Sequence, residues 1–142
     1  MGGELERAGS VERMITLDTG AVASLVLRDG PQHASAVRAL AEAREPVVVP
    51  LPILAEIDRA LSELASGDAM AALLDGIQRG DTLLDCGDLD LPRIRQLMTA
   101  YRDLGLAGAA VVACAERNGG TILSLRDALR TVARDVPITV LP

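Results

Sequence analysis

Five short aliphatic runs set the limits on this fold. They are residues 14–17 (Met-Ile-Thr-Leu), 47–49 (Val-Val-Val), 82–84 (Thr-Leu-Leu), 121–124 (Thr-Ile-Leu-Ser) and 138–140 (Ile-Thr-Val). A strand this short, with no polar alternation, is one buried on both faces. Helical spacing fills the gaps: 19–27, 31 to about 44, 53–64, 69–78, about 88 to 104, 106–117, and a short turn or helix reaching 134. Short apolar strands alternating with helices predict an α/β fold. Its three layers, α/β/α, are built on a mostly parallel sheet of four or five strands.

The breakers agree with these boundaries. Asp29-Gly30-Pro31 is a turn, and Pro31 suits the first position of the helix that follows. Pro50 and Pro52 stop the second strand and start a helix. Asp68 is placed to cap the next one, and Asp88 to Pro92 opens another. Gly105 interrupts the chain before a helix that is apolar on most faces, which places it inside. Residues 1–13 read as a flexible polar lead-in and residues 14–142 as one domain, without internal repeats.

Composition narrows the function classes. There is no Phe or Trp and a single Tyr, Tyr101, so Leu, Val, Ile and Ala must form the core. Single-strand nucleic-acid binding on an aromatic platform is therefore excluded. The net charge is −6 and all 14 basic residues are Arg, so counterion release gives no general affinity for a polyanion. Local arginines and a metal would have to attract a nucleic acid. Cys86 and Cys114 lack metal-type spacing and are expected as two buried, reduced thiols. Nothing resembles a signal peptide. No apolar run reaches the roughly 18 residues of a membrane span, so a cytoplasmic location is expected.

Parallel strands align their carboxyl ends on one edge, where α/β folds bind ligands. Asp18 follows the first strand, Glu56 lies about a helical turn beyond the second, and Asp127 follows the fourth. Clustered carboxylates repel unless a cation sits among them, and Mg²⁺ is the natural occupant. That combination suggests a metal-dependent phosphodiesterase. The plainer reading has Asp18 capping a helix, Glu56 solvated and Asp127 in a turn. Thr19 either caps that helix or bonds a metal-bound water. His33, the only histidine, has no partner at ligand spacing and reads as a surface residue. It rules out a Ser–His–Asp or Cys–His arrangement, and there is no glycine-rich phosphate loop.

In order, the segments are Ile15-Thr16-Leu17-Asp18-Thr19, Val47-Val48-Val49-Pro50 running into Ala55-Glu56-Ile57-Asp58, Tyr101-Arg102-Asp103-Leu104-Gly105-Leu106-Ala107, and Thr121-Ile122-Leu123-Ser124-Leu125. In that order and spacing they resemble a PIN domain over residues 14–142. More narrowly they are similar to the VapC toxins of bacterial type II toxin–antitoxin pairs. The resemblance implies a parallel sheet, an Mg²⁺ or Mn²⁺ site, endoribonuclease activity, a cognate antitoxin and a homodimer. It implies that Asp18 and Glu56 are metal ligands and catalytic, with Asp103 and Asp127 as helpers in both roles. Asp58 matches an accessory acid seen in some members. Two positions depart from the pattern. Gly108 stands where the family has an aspartate, and Arg126 stands where it has the acid after the fourth strand, with Asp127 one place later. Gly108 is expected to leave a hole for water. Arg126 is expected either to compete with the metal or to pair with Asp18 or Glu56. Two functions follow: an endoribonuclease with weakened activity, or a catalytically inactive homologue acting through antitoxin binding or mixed dimers.

Overall fold

The computed structural model describes residues 13–64, 67–87 and 90–142. Most of the expected lead-in, and Asp88, lie outside these residues. The five strands are β1 (Ile15–Leu17), β2 (Val47–Pro50), β3 (Leu83–Asp85), β4 (Thr121–Leu123) and β5 (Thr139–Leu141). They form one sheet in the order β3-β2-β1-β4-β5. Every pairing is parallel. The fold is therefore α/β, as the alternation of runs predicted.

The helices are α1 (Thr19–Val26), α2 (His33–Ala43), α3 (Leu54–Leu64), α4 (Asp68–Arg79), α5 (Leu91–Ala100), α6 (Gly105–Arg117) and α7 (Asp127–Val132). A 3₁₀ turn, Leu51–Ile53, carries Pro52 between β2 and α3. Parallel crossovers are right-handed. Connections running β1→β2→β3 and those running back β3→β4→β5 therefore place their helices on opposite faces. No helix among the described residues is long and apolar enough to cross a membrane.

β1 is the centre of the sheet and all three of its residues are buried. The core is aliphatic: Ile15, Ile53, Ile57, Leu61, Leu97, Leu104, Ile122 and Leu129 are its largest fully buried side chains. In α6, every residue from Gly108 to Ala115 is buried. That helix packs on β1, β2 and β4, and its small side chains let it lie close to the sheet.

Several local expectations are corrected. Asp68 is the first residue of α4, which has Gly67 at its N-cap and no side-chain cap bond. The helix expected to reach 104 ends at Ala100, where Tyr101 adopts φ −130° and ψ 87°. A turn follows, and Gly105 enters α6 at φ +71°, a conformation open to glycine at little cost. Cys86 is exposed and only Cys114 is buried.

Candidate functional site

Strand order reverses on the two sides of β1, since β2 and β3 lie one way and β4 and β5 the other. The carboxyl ends of β1 and β4 flank this switch point, where an open parallel sheet forms its crevice. Leu17 pairs with Leu123, so the residues just beyond them, Asp18 and Ser124, enter the crevice together.

Asp18 is 2% exposed. One carboxylate oxygen, Oδ1, accepts the Ala21 amide at 2.8 Å and so caps α1. The other, Oδ2, accepts the Ser124 hydroxyl. The Ser124 oxygen in turn accepts the Arg126 amide at 3.0 Å, which leaves its proton directed at Asp18. Burial raises the Asp18 pKa above its ordinary value. The bonds from Ser124 and Ala21 and the positive charge of Arg126 oppose that rise, and the negative charge of Glu56 adds to it.

Glu56 stands in the first turn of α3, its Oε1 accepting the Thr19 hydroxyl at 2.6 Å. Thr19 therefore does not cap α1, and its hydroxyl proton is committed to Glu56. It ties the residue after Asp18 to the glutamate of a different helix.

Arg126 occupies the third corner. Its Nη2 donates to the backbone carbonyls of Asp103, at 3.2 Å, and Leu104, at 3.3 Å. Its Nη1 lies 3.2 Å from the point where a Gly108 Cβ would stand. The Leu104 side chain comes closer still to that point, at 2.7 and 2.9 Å. The hole expected beside Gly108 is thus filled by a leucine and a guanidinium. Among the described residues Arg126 forms no direct ion pair.

The other acids, like Glu56, are exposed. Asp103 meets Arg126 through its backbone carbonyl. Asp127 opens α7 with a fully solvated carboxylate, 3.5 Å from Arg130. Asp58 is exposed. His33 is half-buried rather than superficial, its Nδ1 3.0 Å from the Ser24 carbonyl.

The donor set does not fit a resident divalent ion. Asp18 and Glu56 supply two carboxylates, and Arg126 lies beside Gly108. Among the described residues no group of three His, Cys, Asp or Glu is arranged to hold a metal. Nor does any buried side-chain nitrogen or oxygen among them lack a partner. Affinity for a hard cation falls with the number of anionic ligands. A neighbouring unit positive charge opposes it by roughly 4 kcal/mol at about 4 Å and an effective dielectric near 20.

Reading the acids alone missed Ser124, which bonds Asp18 directly. Its signal was positional: it follows β4, one place beyond Leu123, the register partner of Leu17. A sequence model of the PIN domain matches residues 15–134, from the first residue of β1 to just beyond α7. No curated protein matches the chain.

Proposed function

The chain belongs to the PIN-domain family, and from that premise we propose that it is a VapC-like homologue whose ion site has been dismantled and which works through protein contacts. The family's nucleases use divalent metal ions, and the fold here is theirs. The observation carrying this reading is the Arg126 guanidinium beside Gly108, in the corner where two further carboxylates would be needed. Among the described residues no alternative hydrolytic group replaces them. The Ser124 hydroxyl is bonded to Asp18, and the only histidine is held against Ser24. The partners on this reading are a cognate antitoxin and a second PIN chain. A net charge of −6 suits an antitoxin with a basic segment.

The second reading is a weakened endoribonuclease. It is favoured by Asp18 and Glu56 standing together at the carboxyl edge, linked through Thr19.

An RNA cleavage assay in Mg²⁺ or Mn²⁺, with Asp18→Asn alongside, separates the two. We expect no metal-dependent cleavage above that of the variant. Cleavage that needs the metal and disappears in Asp18→Asn would establish the ribonuclease instead. Co-expression with the product of an adjacent small gene, followed by size-exclusion chromatography, tests the protein-contact role. A stable complex is expected, and separate elution of the two proteins counts against it.

A further inference from the structure

We propose that the Arg126 guanidinium is the built-in counter-ion of this carboxyl edge, taking over the electrostatic role of a divalent cation and making the folded chain indifferent to metal. This deepens the function proposed above and rests on the same site.

Three observations converge. The first is the need for a cation. Asp18 is buried, and Glu56 is near enough for its charge to act on the Asp18 carboxyl. Glu56 is itself exposed, but a buried carboxylate with a second carboxylate beside it is costly unless positive charge accompanies it. The second is space. Gly108 has no side chain, and a Cβ there would meet Nη1 of Arg126 at 3.2 Å. Glycine at 108 and arginine at 126 are therefore one arrangement, in which the absent side chain admits the long one. The third is the manner of anchoring. Nη2 is held by two neutral carbonyls, those of Asp103 and Leu104, and among the described residues no carboxylate pairs with the guanidinium directly. Its position is fixed by uncharged acceptors, so its full charge acts on the carboxylates nearby. With Asp18 and Glu56 ionised, the three groups sum to −2 + 1 = −1.

The arrangement also explains the polar chain at Ser124. The Arg126 amide donates to the Ser124 oxygen and the Ser124 hydroxyl donates to Asp18. The residue that supplies the charge thereby also orients a hydrogen bond to the carboxylate.

The test is thermal unfolding followed by far-UV circular dichroism, because one Tyr and no Trp give little intrinsic fluorescence. Melts are run in EDTA and in Mn²⁺, with Mn²⁺ binding measured by the loss of the free-ion electron paramagnetic resonance signal. The native chain is expected to bind no Mn²⁺ and to melt at one temperature in both buffers. Arg126→Gln is expected to melt several degrees lower in EDTA, and Arg126→Lys to recover most of that loss. Arg126→Met, which keeps the apolar stem without the charge, is expected to behave like Arg126→Gln. Arg126→Asp is expected to melt low in EDTA and to be raised by Mn²⁺, with one ion bound per chain. A purely packing role would give no gain of Mn²⁺ binding and would not separate Lys from Met. Stoichiometric Mn²⁺ binding by the native chain overturns the proposal, and that measurement needs no variant. Equal melting of Arg126→Gln and the native chain in EDTA also overturns it. That last result, with no ion bound and no metal-dependent RNA cleavage, leaves the protein-contact function standing. Mn²⁺ binding together with metal-dependent cleavage removes both.

Discussion

Gly108 and Leu104 are the residues at which the absent carboxylate becomes a packing question. A methyl group at 108 would stand 2.7 Å from the Leu104 Cδ1, and Leu104 is itself buried. Gly108→Ala should therefore destabilise the chain by about 1–3 kcal/mol, the usual range for an overfilled core. Combining it with Leu104→Ala should cost less than the sum of the single changes, because the two share one volume. Chemical denaturation of the four proteins checks this, and strict additivity would show that the two positions are independent. Gly108→Asp alone accordingly does not rebuild a ligand, since the new carboxylate meets Leu104 and then Arg126. Asp18 allows a test by pH. Its folded pKa is raised, so its contribution to stability is fully present below its ordinary value near 3.8 and is lost as pH rises through the folded value. The native chain should thus be more stable relative to Asp18→Asn near pH 4 than near pH 7. The reverse ordering in paired melts would mean that the carboxylate is not penalised by burial.

At the scale of elements, β3 is fastened to the end of α6 by Asp85. Burial alone would raise its pKa. The Gly87 amide, the Cys114 thiol and the Arg117 guanidinium outweigh that effect and hold it down at about 2. Arg117 pairs with it at 3.0 Å and the Asn118 amide bonds it at 3.1 Å. Because the folded pKa is depressed, this clasp contributes stability above about pH 4 that is lost as pH falls towards 2. Asp85→Asn should cost about 1–3 kcal/mol at neutral pH, as expected for charge-assisted bonds. Its difference from the native chain should shrink through that acid window; a difference that stays constant would contradict the clasp. Burial pushes the Cys114 thiol up to about 12, and the same contact with Asp85 adds to the rise. Cys86 is exposed. A maleimide should therefore label one thiol rapidly in the folded chain and two after denaturation.

Across the whole molecule, the position of the candidate site is set by where the strand order reverses. The strand order around β1 brings the ends of β1 and β4 to one crevice, although they are about a hundred residues apart in the chain. The chain as a whole is acidic, with a net charge of −6 and no Lys. RNA binding in the absence of metal should be weak and only shallowly dependent on salt, because few phosphates are neutralised. Filter binding across a range of salt concentrations measures this. A steep salt dependence would reveal a basic RNA track assembled from the arginines.

Strand and helix identities were legible in the sequence because they rest on local periods. Three- and four-residue aliphatic runs have few options besides a doubly covered parallel sheet, and Gly and Pro mark their ends. The placing of Asp18 and Glu56 on one edge followed from strand direction alone. Three outcomes came only with the tertiary structure: the exposure of Asp103 and Asp127, the bond from Ser124, and the Arg126 side chain lying over Gly108. Each depends on which side chain fills a volume shared by segments remote in the chain. Local spacing carries no information about that competition, which close packing decides.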